Sequence, residues 1–205
     1  MSRAYTPTNI INKKFRTLDF DGEWEALIGK PELSGTWMIW GNSGNGKTDF
    51  CIKLAKYLCK FTKVVYNTLE EGVSESIKQA LIRNKMDEQD GQFVIVDGEP
   101  INELLKRLTK HKAPKAVIID SFQYTGLNKK TYKEFKKQLP KTLIIFISHA
   151  EGKHPEGRSA KSVRYDANVK IQVEGFRANA VSRYGGGKPY TIWAEKAKEF
   201  YGDID

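Results

Sequence analysis

The segment Gly41-Asn42-Ser43-Gly44-Asn45-Gly46-Lys47-Thr48 satisfies G-x-x-x-x-G-K-[ST] at every fixed position. Each residue type has a chemical reason to be there. Glycines let successive backbone N–H groups turn inward as a nest for an anion. A helix that follows presents its positive N-terminus to the same anion. Lys47 then reaches the β- and γ-phosphates of a nucleoside triphosphate, and the Thr48 hydroxyl ligates Mg²⁺. Asp49 opens the helix and counts with the nucleotide-binding segment. The pattern itself admits ATP or GTP.

Three further places carry groups that such a loop needs. Val117-Ile118-Ile119-Asp120 is an apolar run that ends in a carboxylate. An acid at the carboxyl end of a buried strand sits at the ligand edge of a parallel sheet, where Asp120 would hold Mg²⁺. Tyr66-Asn67-Thr68-Leu69-Glu70-Glu71 places two acids after the next strand. Glu70 is favoured as the base that orients the attacking water. The competing reading is a helix start, since Thr68 and Glu71 have capping-box spacing. Ser148-His149 ends another apolar run. His149 there either contacts the γ-phosphate or is an exposed strand-end histidine.

These groups must be positioned by alternating strands and helices, the signature of an α/β layered fold with a mostly parallel sheet. Strands are expected at 35–40, 64–67, 93–96, 116–119 and 142–147. The last two are continuously apolar, as strands covered on both faces are. Helices are expected at 48–59, 74–84, 101–110 and 131–138. In the first, Cys51, Leu54, Ala55 and Leu58 fall on one face. Beyond residue 165 the runs 170–173, 178–182 and 190–194 read as a C-terminal antiparallel β-meander. Residues 1–20 read as an N-terminal arm and 21–205 as the core. Ile10, Ile11, Phe15, Leu18 and Phe20 would pack either on a neighbouring subunit or on the chain's own core.

The 205 residues are 40% hydrophobic and 11% aromatic, enough for a sizeable core and against disorder. No apolar run is long enough to span a membrane, and the first residues lack the apolar centre of a signal peptide. A cytoplasmic location is expected. Cys51 and Cys59 read as buried, reduced thiols. His111, His149 and His154 have no partnering cysteines at zinc spacing. The formal net charge of +9 favours a polyanionic partner, most simply nucleic acid.

The series GNSGNGKT, YNTLEEG, VIIDS, FISHA and VSRYGGG resembles the RecA-like ATPase core over residues 30–195. The likeness is to the branch of RadA-type repair ATPases, DnaB-type helicases and small phage recombinases. It implies an oligomeric ring or filament that hydrolyses Mg²⁺-ATP at subunit interfaces, stimulated by DNA, in recombination, repair or replication. It implies Glu70 as the catalytic carboxylate and places His149 where these families usually carry glutamine. It makes Arg183 of Ser182-Arg183-Tyr184-Gly185 the residue that reaches a neighbour's ATP. The lysine often found two positions earlier is Val181 here.

The resemblance also implies two loops facing the axis of the assembly. One holds Phe122, Gln123, Tyr124 and Lys129. The other, 151–161, is glycine-rich and carries Lys153, Arg158 and Lys161, with Arg164 just beyond. Basic loops with nearby aromatics suit single-stranded DNA. The basic helix with Lys133, Lys136 and Lys137 either extends that surface or is a solvated face. A regulatory ATPase acting on protein partners is the alternative function, and a small-molecule kinase a third.

Overall fold

A computed structural model describes residues 3–202 of the chain. Nine strands form a sheet in the order β3-β2-β4-β5-β1-β7-β8-β9, with β6 paired to β5 alone. Strands β1 (Gly35–Gly41), β2 (Val64–Thr68), β3 (Phe93–Asp97), β4 (Ala116–Asp120) and β5 (Leu143–Glu151) run parallel. Strand β7 (Val169–Glu174) joins β1 in parallel. Strands β8 (Arg177–Ser182) and β9 (Tyr190–Thr191) then turn back antiparallel. This is the expected α/β architecture, antiparallel C-terminal strands included.

Alternation along β1 divides the interior in two. Trp37 and Ile39 point to one apolar cluster, with α2 (Gly22–Ile28) and α3 (Lys47–Leu58). Met38 and Trp40 point to the other, with α5 (Ile101–Thr109), α6 (Lys129–Gln138) and α7 (Arg158–Asp166). Helix α3 buries seven of its residues, among them the expected Cys51, Leu54, Ala55 and Leu58. In α5, Leu104 and Leu108 are buried and Leu105 partly so. Helix α4 (Glu75–Arg83) starts behind Ser74, whose hydroxyl accepts from the N–H of Ile77 at 3.3 Å.

Three stretches differ from the sequence expectation. Strand β5 does not stop at Ile147. It continues to Glu151 because residues 150–151 pair with β6 (His154–Pro155) in a tight hairpin. The glycine-rich stretch 151–161 expected as a loop is therefore a hairpin and the first turn of α7. Pro155, Ala160 and Val163 bury there and hold it down. At the C-terminus the strand expected at 190–194 keeps only the two residues of β9, and helix α8 (Ala194–Tyr201) begins at Ala194.

At the N-terminus, α1 (Pro7–Ile11) buries nothing, and Ile10, Ile11 and Phe15 are exposed. Leu18 and Phe20 instead enter the chain's own core, Phe20 edge-on to Tyr57 at 4.9 Å between ring centroids. Both cysteines are buried and unpaired, and burial raises both thiols. Among the described residues no helix is long and apolar enough to cross a membrane.

Candidate functional site

Gly41 closes β1 where a larger residue has no room. A Cβ built there lies 2.1 Å from the carbonyl oxygen of Val173. The loop then turns through Gly44 and Gly46, at φ 75° and 90°, a region glycine enters freely. Asn45 stitches the loop to the β7–β8 turn. Its Oδ1 accepts from Gly175 N–H at 2.8 Å, and its carbonyl accepts from Phe176 N–H at 3.2 Å. Its Nδ2 donates to the Ser43 carbonyl at 3.1 Å.

The Lys47 ammonium spans the loop and donates to the carbonyls of Gly41 at 2.7 Å and Asn42 at 2.9 Å. Burial pulls its pKa down, against the carboxylates of Asp120 and Glu70. Ser43, Thr48 and Asp49 line the same cleft, a cavity of about 290 Å³. The Asp49 carboxylate is also committed to helix α4, where it takes Arg83 at 3.0 Å and the Asn84 amide at 3.2 Å.

Strand β4 delivers Asp120 to the floor of this cleft. Burial raises the carboxyl to about 6, although the Tyr66 hydroxyl, donating at 2.6 Å, stabilises the ionised form. The Asp120–Ser121 peptide is cis. The Asp120 carbonyl accepts from Glu70 N–H at 3.1 Å and so fixes the end of β2. Glu70 and Glu71 both line the cleft. Thr68 ends β2 and starts no helix; Ser74 caps α4 instead, and its hydroxyl donates to the Glu71 carboxylate at 3.4 Å. The Glu70 carboxylate meets the His149 imidazole, Oε1 to Nε2, at 3.1 Å. Gln123 stands behind this pair. Its Nε2 donates to the Ser148 hydroxyl at 2.8 Å and the Glu156 carbonyl at 3.1 Å.

Lys47, Thr48, Asp120, Glu70 and His149 thus converge beside the glycine-rich loop, while Arg183 and the basic candidates Lys153, Arg158, Lys161 and Arg164 lie elsewhere. Arg183 follows β8 at the start of the β7 pairing, where Ser182 faces Val169 and Val169 faces Trp37. That is the sheet end opposite the phosphate loop. Lys153 and Arg158 are exposed, at the β5–β6 turn and the start of α7. Lys161 pairs with Glu151 at 2.7 Å. The Arg164 guanidinium lies over the Trp40 ring at 4.9 Å, with its Nε buried and unbonded among the described residues.

Sequence reasoning missed Tyr66, Phe176 and Lys196. Tyr66 is a buried strand residue and carries no motif signal. Phe176 and Lys196 reach the cleft from the β7–β8 turn and from α8, a helix that the sequence reading left unassigned.

The residues present fit a magnesium triphosphate. The donors are a hydroxyl and a carboxylate, hard oxygens, with no preformed cage of acids, histidines and cysteines among the described residues. Mg²⁺ is commonly held that way, by one or two protein oxygens together with substrate phosphates.

No protein-family profile and no curated protein sequence matches the chain. Among solved structures it is similar to the flagellar accessory protein FlaH from Methanocaldococcus jannaschii. The TM-score is 0.63 at 18% identity, over 85% of this chain and 92% of that one. At that identity the likeness establishes the RecA-like fold. It does not establish the activity, since 537 solved chains match this chain.

Proposed function

We propose that this chain is an oligomeric ATPase of the RecA type that binds single-stranded DNA and serves recombination, repair or replication. The observation that carries the ATPase is the convergence of Lys47, Thr48, Asp120 and Glu70 on one cleft. Lys47 exchanges its two loop carbonyls for phosphate oxygens. Thr48 and Asp120 would hold Mg²⁺, which would supply charge neutralisation to the triphosphate. Glu70, held by His149 and by the Asp120 carbonyl, takes the proton of the attacking water. The products are ADP and phosphate.

The DNA assignment rests on charge and on the resemblance to the RadA and DnaB branch. The net charge is +9, and Lys153, Arg158, Lys129 and Lys133 are exposed. Arg183, remote from its own cleft, is assigned to the ATP of a neighbouring copy.

The test is the ATPase rate with and without single-stranded DNA, with Lys47→Ala as the blank. Stimulation by DNA supports the reading. Replacing Lys153 and Arg158 by alanine should then lower the salt dependence of binding, by about 0.7 in slope per lost phosphate contact. A Lys47-dependent rate indifferent to DNA would exclude the DNA role and favour an ATPase directed at protein partners.

A further inference from the structure

Helix α8 brings a cation to the phosphate cleft from a stretch of chain without any phosphate-binding motif. The Lys196 ammonium stands over two ring faces, 4.2 Å from the centroid of Trp193 and 5.0 Å from that of Phe176. It lines the cavity that Ser43, Gly46, Lys47 and Thr48 also line. No carboxylate pairs with it among the described residues.

We infer that Lys196 is a second phosphate-binding cation of this site, supplied by the same chain, and that Phe176 and Trp193 form its cradle. This rests on the nucleoside triphosphate reading of the cleft. Three observations converge on it.

The first is donor accounting. Lys47 gives two of its three donors to loop carbonyls, which phosphate oxygens must first displace. A lysine held by ring faces keeps its N–H donors for an incoming anion. Lys196 is therefore the ammonium of this cleft with no oxygen partner among the described residues.

The second is the rigidity of the cradle and its attachment to the loop. Phe176 sits at φ 59°, a left-handed conformation unfavourable for a bulky residue. Its N–H is bonded to the Asn45 carbonyl, and a Cβ on Gly46 would come within 2.9 Å of its ring. The Trp193 indole N–H donates to Glu195 at 3.2 Å. The phosphate loop is thus joined to the Phe176 half of the cradle through the backbone.

The third is that another residue already anchors this corner. Lys53 of α3 donates to the Ile192 carbonyl at 2.6 Å and ties the β9–α8 junction to the phosphate-loop helix. Lys196 is not needed to attach α8, which leaves its charge for a ligand.

The experiment compares binding of ATP and of inorganic tripolyphosphate by titration calorimetry. It uses the full chain, Lys196→Gln, Lys196→Arg, Trp193→Phe and Lys47→Ala, with melting checked for each. Trp193 emission is a second readout, assigned by its loss in Trp193→Phe. Lys196→Gln should weaken both ligands about tenfold, the loss expected for one charge-assisted hydrogen bond. Lys196→Arg should recover most of that. Tripolyphosphate should change Trp193 emission in the full chain and not in Lys196→Gln, because the cation leaves the ring only in the former. Unchanged affinity of Lys196→Gln for both ligands would overturn the inference. So would weaker ATP binding with tripolyphosphate unaffected, which would place Lys196 against the nucleoside. Failure of the full chain to bind either ligand, or binding indifferent to Lys47→Ala, would instead remove the triphosphate reading itself.

Discussion

Glu70 and His149 meet at 3.1 Å inside the phosphate cleft although they leave different strands. Strand β4 lies between β2 and β5, so the pair reaches across the end of the strand that carries Asp120. Both ends are fixed through the backbone. Glu70 N–H bonds the Asp120 carbonyl at 3.1 Å, and His149 N–H approaches the Gln123 Oε1 at 3.5 Å. A carboxylate held in this way has one orientation from which to address a water. On the proposed mechanism the histidine would position Glu70 as the base, and a glutamine could do the same through its amide N–H.

Glu70→Gln should lower kcat at least about 100-fold and leave ATP affinity within a few-fold, as loss of a general base does. His149→Ala should cost less, and His149→Gln should retain most activity. The double variant Glu70→Gln with His149→Ala should be no slower than Glu70→Gln alone, because the two residues act as a unit. Steady-state rates with ATP affinity measured separately decide this. A His149→Ala defect that persists in full on the Glu70→Gln background would show that the histidine acts on the phosphate directly.

Asp120 makes stability depend on pH with a definite sign. Burial raises its carboxyl to about 6. An acid whose folded pKa stands above its unfolded value favours the fold while protonated. That contribution is complete below about pH 4 and is lost as pH rises through 6. Asp120→Asn keeps an oxygen for the Tyr66 hydroxyl and never ionises. Without nucleotide it should be more stable than the parent at pH 8, by up to about 3 kcal/mol, and equal to it near pH 4. Mg²⁺ and ATP should reverse the order by stabilising only the parent. Thermal melts at the two pH values test this, and an Asp120→Asn chain that melts lower at pH 8 without ligand would contradict it.

What was legible in the sequence was what local pattern dictates. The phosphate loop reads from spacing, since its fixed glycines answer to the tight contact of Gly41 with Val173 and to the left-handed φ of Gly46 beside Phe176. The buried parallel strands read from unbroken apolar runs, and Asp120 and Glu70 from their places at strand ends. What stayed hidden depends on partners distant in the chain. Strand β5 runs past Ile147 only because β6 pairs with it. Leu18 and Phe20 join the core only through partners far along the chain, Phe20 against Tyr57 of α3 and Trp37 of β1. Helix α8 follows a strand-like run, and it packs on the β7–β8 turn, with Phe200 against Gly175 and Tyr201 under Arg177. Lys196 was out of reach for the same reason.

Asn45 should matter more than a variable position of a phosphate loop usually does. Its side chain accepts from Gly175 N–H at 2.8 Å and so fastens the loop to the β7–β8 turn. Asn45→Ala leaves that N–H without its partner and should destabilise the fold by about 1–2 kcal/mol. It should also weaken ATP binding several-fold, because the loop then has to be ordered by the ligand. Melting temperature and ATP affinity should fall together. Loss of affinity with no loss of stability would mean that Asn45 contacts the nucleotide instead.

Arg183 cannot serve the cleft of its own chain. Ser182 faces Val169, which faces Trp37 near the start of β1, while the phosphate loop begins at Gly41. Four residues of strand place the two about 13 Å apart along the sheet. If Arg183 completes a neighbour's site, Arg183→Ala should bind ATP as the parent does and hydrolyse it at least about tenfold more slowly. Subunits that carry Lys47→Ala are inactive for a different reason, yet still present an intact Arg183. Mixing the two inactive proteins should therefore restore part of the activity, in proportion to the mixed interfaces that form. Recovery that peaks near equal amounts and disappears on dilution would place the arginine in trans. Full activity in Arg183→Ala alone, or a mixture no faster than its parts, would assign Arg183 to the exposed edge of β8 and nothing more.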